Sequence, residues 1–221
     1  MQVVVAKEIL KVNDTIAKEN MEVFDRNGVY GINVLGSPGS GKTTLLEKLF
    51  VELDGKIRPG VIEGDLETSR DAERIDKLGV PVVQINTGGG CHLEANMVQQ
   101  AITSLDLSAL NTVFVENVGN LVCTSGYMLG ERLRFVVLST TEGDDKVSKY
   151  PPMFQRTQAM VINKVDLLEF TDFSVERAIE DARKLNPDIE VFTISARTGE
   201  GIPELAKWIV GKVQAWQGEA S

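Results

Sequence analysis

The sequence predicts a single α/β domain in which helices cover both faces of a mostly parallel, doubly wound sheet of about seven strands. Apolar segments of strand length alternate with amphipathic segments of helix length, which is typical of parallel strands joined by crossover helices. Some strand segments, such as 135–138, are apolar throughout, and this indicates a sheet buried on both faces. No repeat or linker divides the 221 residues, so we expect residues 1–221 to form one domain.

The predicted elements follow one another in the order that such a sheet requires. The seven predicted strands are Val29–Leu35, Gly60–Glu63, Val80–Asn86, Thr112–Glu116, Arg134–Ser139, Gln158–Asn163 and Glu190–Ile194. The six predicted helices are Ala6–Asp25, Lys42–Glu52, Arg70–Leu78, Leu93–Ser104, Ser174–Leu185 and Pro203–Trp216. Residues 1–28 are expected to form an amino-terminal helical extension, and the polar segment Gly143–Pro152 is expected to be a loop.

Composition excludes several classes of protein. The chain is 43% hydrophobic and 25% charged, as in an ordinary globular protein, and no apolar run approaches the roughly 20 residues that span a bilayer. The amino terminus is too charged for a signal peptide, so we expect a cytoplasmic protein with no membrane partner. Its net charge of −9 disfavours a nucleic-acid partner. Two cysteines and one histidine are too few for a disulfide scaffold or a multi-cysteine zinc module.

A phosphate-binding loop is predicted where the first strand meets the second helix. The segment from Gly36 to Thr43 fits the pattern G-x-x-x-x-G-K-[ST] in the strand–helix context that this motif requires. Its glycines allow backbone N–H groups to turn toward phosphate oxygens at a helix amino terminus. Lys42 is expected to neutralise β/γ-phosphate charge and Thr43 to bind magnesium; the alternative is a glycine-rich turn without a ligand. The predicted nucleotide-binding residues here are Gly36, Ser37, Pro38, Gly39, Ser40, Gly41, Lys42, Thr43 and Thr44.

Two later motifs indicate that the nucleotide base is guanine. Asn163-Lys164-Val165-Asp166 and Ser195-Ala196-Arg197 each end a predicted strand, and they resemble the N-K-x-D and S-A-[KR] motifs of GTPases. Asp166 can accept the N1–H and N2–H of guanine, a donor pair that adenine lacks. The Lys164 stem is expected to cover the base and the Ala196 N–H to meet O6. The sequence therefore favours a P-loop GTPase over an ATPase.

Acidic residues between these motifs are candidates for magnesium binding and catalysis. Asp65 follows the second strand and is our preferred direct or indirect magnesium partner, with Asp71 as a candidate for orienting the attacking water. Glu116-Asn-Val-Gly119 resembles the D-x-x-G switch with glutamate in place of aspartate; Glu116 is expected to hold a magnesium-bound water and the Gly119 N–H to contact the γ-phosphate. Each acid also suits a solvated loop or a helix cap. No catalytic glutamine is evident, so we expect slow intrinsic hydrolysis.

All of the cysteines and the only histidine lie in two of the predicted loops. Cys91 and His92 follow the third strand, and Cys123 lies 32 residues after Cys91 and four after Gly119. Both loops are expected at the carboxyl edge of the sheet, where nucleotide also binds. Thiolate and imidazole favour zinc or nickel over magnesium or calcium. Three ligands leave an open position, or a dimer can pool ligands from two chains; the alternative is buried free thiols and a histidine at a helix start.

Several segments between Gly36 and Ile202 together resemble one family of proteins. They are GSPGSGKTTLLE, EGDLETSRDAERI, TGGGCHLEA, ENVGNLVC, TEGDDKVSKYP, NKVDLL and SARTGEGI. The chain resembles the HypB family, the nickel-incorporation GTPases of [NiFe]-hydrogenase maturation in the SIMIBI class of P-loop proteins. The pairing of TGGGCH with ENVGNLVC discriminates this family from the UreG GTPases of urease, which share the nucleotide motifs but use a Cys-Pro-His metal motif that is not found here.

The resemblance implies a GTP-hydrolysing metallochaperone that uses GTP/GDP, Mg²⁺ and Ni²⁺ or Zn²⁺. It also implies GTP-dependent homodimerisation, a Cys/His metal site at the dimer interface, and transfer of nickel from a HypA-like chaperone to the maturation machinery of the hydrogenase large subunit. The cysteine motif or histidine stretch that precedes this region in many bacterial members is not found here, and Thr124-Ser125 stands where a proline is common. The alternatives are a UreG-like or cobalamin-enzyme chaperone, a non-catalytic metal-binding scaffold that uses GTP structurally, and a signalling GTPase.

Overall fold

A computed structural model describes residues 5–219 of the chain, which form a seven-stranded sheet flanked by helices. The strands are β1 (Tyr30–Gly36), β2 (Pro59–Asp65), β3 (Val82–Asn86), β4 (Thr112–Glu116), β5 (Leu133–Ser139), β6 (Ala159–Asn163) and β7 (Glu190–Thr193). The α-helices are α1 (Val5–Arg26), α2 (Lys42–Leu53), α3 (Arg70–Asp76), α4 (Ala95–Ile102), α5 (Lys146–Lys149), α6 (Pro151–Gln155), α7 (Val175–Leu185) and α8 (Ile202–Glu219).

The sheet is parallel throughout and has the order β3-β2-β4-β1-β5-β6-β7. The strand β1 lies at its centre, with Val34 opposite Glu116 of β4 on one side and opposite Phe135 of β5 on the other. Because every strand runs in the same direction, the loops that follow the strands meet at one edge of the sheet. The predicted α/β class with a doubly wound parallel sheet is therefore confirmed.

Apolar side chains on both faces of the sheet form the core. Alternate residues of β1 point to opposite faces, so Ile32 and Val34 pack with α2 and α8, whereas Leu35 packs in the cluster of α6 and α7. A third cluster joins α1 and α4 to β2 and β4. None of the described helices combines the length and the hydropathy needed to cross a lipid bilayer.

The structure differs from the predicted elements in a few places. The segment Gly143–Pro152, predicted as a loop, contains the short helix α5 and the start of α6. Pro151 is compatible with the first turn of α6 because the N–H that proline lacks has no helical partner there. The helices α3 and α4 are shorter than predicted, ending at Asp76 and Ile102. The predicted extension contains α1, which packs against α4, while residues 1–4 lie outside the described part of the chain.

Candidate nucleotide and metal site

A cleft of about 480 Å³ opens at the carboxyl edge of the sheet, above β1, β2 and β4. The loop after β1 and the start of α2 form one wall, and the residues that follow β2 and β4 form the other. Of the predicted site residues, those that line the cleft are Pro38, Gly39, Gly41, Lys42, Thr43, Thr44, Asp65, Asp71, Glu116, Gly119 and Lys164. The structure thus brings the predicted phosphate loop together with the predicted acids.

The backbone of the phosphate loop requires glycine at position 41. Gly41, directly before α2, has φ 94°, and a Cβ there would lie 2.5 Å from Asn163 Nδ2. The Asn163 amide donates to the Ser40 carbonyl at 2.9 Å, and Lys164 Nζ donates to the Gly39 carbonyl at 2.6 Å. The N-K-x-D segment therefore supports the phosphate loop directly. Lys42 is buried at the start of α2, with its ammonium 3.4 Å from the Ser37 carbonyl.

The residues predicted to read the base lie side by side after β6 and β7. Asp166 Oδ1 accepts a hydrogen bond from Ser195 Oγ at 2.6 Å, which fixes the orientation of the carboxylate. The Ala196 N–H, predicted to meet the base at O6, donates instead to Asn163 Oδ1 at 3.0 Å. Contact of this N–H with O6 of a bound base stays a prediction. Arg197 is exposed in the turn that follows.

Four carboxylates converge on the side of the cleft opposite the phosphate loop. Glu63 and Glu116 are paired across β2 and β4 and are only 2% and 3% exposed. Thr43 Oγ1 donates to Glu116 Oε1 at 2.8 Å, and Glu63, Asp65 and Asp71 each place a carboxylate oxygen within 4.8 Å of the other two. Glu63 Oε2 and Glu116 Oε2 are buried with no hydrogen-bond partner among residues 5–219. Such unpaired buried oxygens suit a bound cation.

The pKa values of the two buried glutamates are raised toward the neutral range. Burial, followed by repulsion from Glu116, Asp65 and Asp71, raises the pKa of Glu63 to about 8. Burial also raises the pKa of Glu116 to about 7, although Lys42 and the Thr43 hydroxyl oppose the shift. The sequence analysis missed Glu63. The signal was a second acid two residues before Asp65, directly after the apolar pair Val61-Ile62 of β2, since a carboxylate is rarely placed in a sheet interior without a partner.

Asp65, the preferred magnesium partner, and Asp71, the candidate for orienting the attacking water, have different surroundings. Asp65 Oδ1 accepts from the N–H groups of Glu67 and Thr68 at 2.9 and 3.2 Å. Burial acts against them, but these hydrogen bonds hold the pKa of Asp65 below its usual value. Asp71 Oδ1 lies 3.1 Å from Arg74, whose guanidinium also binds Glu47 at 2.6 Å. Asp65 therefore stays ionised beside the cleft, while Asp71 forms an ion pair with the Arg74 guanidinium.

The two cysteines and the histidine come together, as expected if both loops leave the same edge of the sheet. The Sγ atoms of Cys91 and Cys123 and a ring nitrogen of His92 all lie within 4.8 Å of one another. His92 Nδ1 is 3.5 Å from Cys91 Sγ, and the imidazole packs on the Tyr127 ring with centroids 4.0 Å apart. The proximity of Cys91, followed by burial, raises the pKa of the Cys123 thiol. All three ligand candidates belong to a single chain.

The loop after β4 joins the Cys/His cluster to the phosphate loop. The Asn120 N–H donates to the Gly36 carbonyl at 3.0 Å, and Asn120 Oδ1 accepts from the Cys123 N–H at 2.9 Å. A Cβ at Gly119 would lie only 2.7 Å from the backbone nitrogen of Pro38. Only a few covalent bonds and two hydrogen bonds therefore separate the phosphate loop and Gly119 from Cys123.

Comparisons with known proteins agree on one family. Residues 31–193 match the CobW/HypB/UreG nucleotide-binding domain. Hydrogenase maturation factor HypB of Azotobacter vinelandii is 50% identical over 206 residues, which cover 93% of this chain and 68% of that protein. The probable hydrogenase maturation factor HypB of Methanocaldococcus jannaschii is 40% identical, with 95% of each chain covered.

A solved structure extends this likeness to three dimensions and to the whole described fold. The crystal structure of HypB from Helicobacter pylori in complex with nickel has a TM-score of 0.88 and 42% identity, and the match covers 92% of this chain and 95% of that one. The HypB structure from Archaeoglobus fulgidus has a TM-score of 0.86 and 34% identity, covering 92% and 99%. The resemblance seen in the motifs is thus confirmed, and the chain belongs to the HypB family of hydrogenase maturation factors.

Proposed function

We propose that this chain is a GTP-hydrolysing metallochaperone that binds nickel through Cys91, His92 and Cys123 and delivers it during [NiFe]-hydrogenase maturation. The observation that carries the proposal is the convergence of these three ligand atoms within 4.8 Å, with Cys123 on the loop that is hydrogen-bonded to the phosphate loop. A signalling GTPase has no need for this cluster. A metal storage protein has no need to join it to a nucleotide site.

The ligand set supports nickel or zinc as the cargo. Two thiolates and one imidazole are soft or borderline ligands, and three of them leave a coordination position through which a metal can enter and leave. His92 Nε2 is buried and has no hydrogen-bond partner within residues 5–219; its nearest carboxylate oxygen, on Glu94, is 3.7 Å away. The related H. pylori protein was crystallised in complex with nickel, and this favours nickel as the metal that is delivered.

The cleft supports GTP with Mg²⁺ as the nucleotide substrate. Thr43, Asp65 and Glu116 are the residues that would hold the ion, and the unpaired oxygens of Glu116 and Glu63 fit a cation. When bound, magnesium neutralises charge on the β- and γ-phosphates. Lys42 binds the same phosphates. The carboxylate of Asp166, oriented by Ser195, accepts hydrogen bonds from the N1–H and N2–H groups of guanine. Asp71 or Asp65 orients the attacking water, and the missing catalytic glutamine makes hydrolysis slow.

GTP-dependent dimerisation completes the proposal. Val122 and Leu66 are 61% and 44% exposed, and they adjoin Cys123 and Asp65, so one exposed apolar side chain lies on the surface beside the metal loop and another beside the cleft. A second copy of the chain would cover this surface when GTP orders the loops after β2 and β4, and could supply a further metal ligand. We further propose that the protein acts in the cytoplasm and exchanges nickel with a HypA-like chaperone and the hydrogenase large-subunit machinery.

The metal assignment is tested by the double variant Cys91→Ala, Cys123→Ala, with Ser125→Ala as the control. Ser125 lies in the same loop as Cys123, is partly exposed, and its hydroxyl donates to the Val122 carbonyl. We expect equilibrium dialysis to show one nickel ion per chain for wild type and for the control, and none for the double variant. If the double variant binds nickel as wild type does, the proposed site is wrong.

Nucleotide turnover and dimerisation separate the metallochaperone from the scaffold alternative. We expect phosphate release from GTP in the presence of Mg²⁺, and a doubling of mass by light scattering with a non-hydrolysable GTP analogue and nickel but not with GDP. A scaffold that uses GTP structurally would release no phosphate under any of these conditions. A UreG-like chaperone would pass the same tests but would activate urease instead of hydrogenase in a reconstituted transfer assay.

A further inference from the structure

Four buried polar side chains form a connected chain through the otherwise apolar centre of the sheet. Asn117, which follows β4 and lines the nucleotide cleft, lies with its Nδ2 3.4 Å from Asn33 Oδ1 on β1. Asn33 Nδ2 in turn donates to Glu131 Oε1 at 3.0 Å. The same Glu131 oxygen is 2.8 Å from the guanidinium of Arg134 on β5. All four side chains are at most 4% exposed, and we call them the buried polar chain.

The two ends of the buried polar chain hold the two metal loops. At one end, Asn117 Oδ1 accepts from the backbone N–H of Leu93 at 3.3 Å, directly after His92. At the other end, Arg134 Nη2 donates to the carbonyls of Thr124 and Tyr127 at 3.3 and 2.9 Å. Thr124 follows Cys123, and Tyr127 is the ring on which His92 packs. The buried polar chain therefore fixes the position of the Cys91–His92 loop relative to the Cys123 loop.

Stability alone does not account for such an arrangement. Removing two charges from water costs several kcal/mol per ion, and well-packed apolar residues in place of a buried ion pair often stabilise a protein. Leu35, which points to the same face of β1 as Asn33, is apolar and fully buried, so an apolar side chain at position 33 would extend the core on that face. The polar groups instead fix the positions of backbone atoms, because hydrogen bonds have preferred angles and distances.

We propose that the buried polar chain is the positioning device that couples the nucleotide to nickel, with Asn117 as its sensor and the two metal loops as its output. This inference rests on the proposed function. Asn117 is the residue directly after Glu116 and its N–H donates to the Val34 carbonyl, so an ion drawn to Glu116 shifts the side chain that holds Leu93. The shift reaches Arg134 through Asn33 and Glu131. Asn33 is a positioning residue, since it contacts neither nucleotide nor metal.

The test is the variant Asn33→Leu, which breaks the buried polar chain at its middle and leaves the Cys, His and phosphate-loop residues in place. The matched control is Asn20→Leu. Asn20 is equally buried, and its amide donates twice, to the carbonyls of Ala95 and Leu129. We therefore expect Asn20→Leu to lower stability about as much as Asn33→Leu does, although Asn20 is not a member of the buried polar chain. Nickel affinity is measured by competition with a chromophoric chelator, with GDP or a GTP analogue plus Mg²⁺ bound, alongside the thiolate-to-nickel absorption band.

In wild type and in Asn20→Leu we expect the nickel Kd to differ between the two nucleotide states by about 5- to 150-fold, the usual range of allosteric coupling. In Asn33→Leu the ratio should fall below about 3-fold, while nickel is still bound with a stoichiometry of one. By reciprocity, nickel should then lose its effect on nucleotide affinity as well. A preserved ratio in Asn33→Leu overturns the inference and leaves the proposed function standing.

Two further outcomes are decisive. Wild type that binds no nickel, or binds it equally in both nucleotide states, overturns the proposed function and the inference with it. If Asn33→Leu does not fold, Glu131→Gln takes its place, since glutamine keeps an acceptor for Asn33 and removes the ion pair with Arg134. A reduced ratio for Glu131→Gln supports the inference, and a wild-type ratio contradicts it.

Discussion

Replacing Gly119 with alanine tests whether the loop after β4 must lie against the phosphate loop. A Cβ at this position would be 2.7 Å from Pro38 N and 2.8 Å from Pro38 Cα. Both are backbone atoms of the phosphate loop, so no flexible side chain can turn away. Gly119 does not have a positive φ, and alanine therefore adds a steric conflict without backbone strain.

The size of the effect follows from the displacement that alanine requires. An ordinary contact begins at 3.4 Å, so the two loops must separate by about 0.7 Å, from 2.7 to 3.4 Å. That separation lengthens the hydrogen bond between Asn120 and Gly36, now 3.0 Å. Overpacking of this kind costs about 1–3 kcal/mol of stability, and a misplacement approaching 1 Å at a catalytic site costs up to about 100-fold in rate. We expect GTP hydrolysis to fall about 10- to 100-fold.

The assay is phosphate release at saturating GTP and Mg²⁺, with chemical denaturation as the measure of stability. Gly126→Ala is the control, because a Cβ there meets no described atom within 4 Å although Gly126 belongs to the same segment as Cys123. The control should keep the wild-type rate and stability. If Gly119→Ala also keeps both, the contact between the two loops does not constrain catalysis and the coupling path through Asn120 is refuted.

Two other predictions concern the base and the buried acids. Asp166→Asn should lower affinity for GTP relative to XTP by about 100-fold or more, because an amide no longer matches the guanine donors; competition binding measures the ratio, and an unaltered preference would refute the guanine assignment. For Glu63, the folded pKa of about 8 lies above that of the unfolded chain, so its stabilising contribution is complete at low pH and is lost as the pH rises toward 8. Without Mg²⁺, Glu63→Gln should therefore be more stable relative to wild type at pH 8 than at pH 5 by denaturant titration, and an equal difference at both pH values would contradict the shift.

Local patterns predicted the parts of the site that depend on backbone conformation and on strand ends. The phosphate loop, the Asn163–Asp166 segment and the acids after β2 and β4 could be placed because parallel strands deliver their carboxyl ends to one edge. The meeting of Cys91, His92 and Cys123 followed from the same rule. None of these inferences needed side-chain packing, since each depended on the order of strands and loops along the chain.

The parts that sequence reasoning missed depend on contacts between distant residues. Glu63 lies in the same strand as Asp65, and only its register opposite Glu116 shows that two carboxylates share one buried space. The Ala196 N–H donates to Asn163 Oδ1, which lies 33 residues away, and the S-A-R motif by itself did not predict that contact. The pairing of Asn33 with Glu131, separated by 98 residues, has no periodic signature. Such pairs depend on tertiary packing, which local propensity does not encode.

The two buried acids beside the cleft differ from the buried polar chain in how their polar atoms are paired. Under the proposed coupling, this difference allows one small fold both to bind a ligand and to respond to it. Beside the cleft, Glu63 Oε2 and Glu116 Oε2 are without hydrogen-bond partners in the described chain, and an unpaired buried acceptor costs about 1–3 kcal/mol. A cation removes that cost, so the acids change state when the ligand arrives. In the buried polar chain, by contrast, Asn33 and Glu131 already contact other polar groups on both sides, and displacement of one must move the next. Asn117 follows Glu116 directly in the sequence. Under the proposed coupling, the acids that bind the cation therefore adjoin the buried polar chain that passes the displacement on to the metal loops.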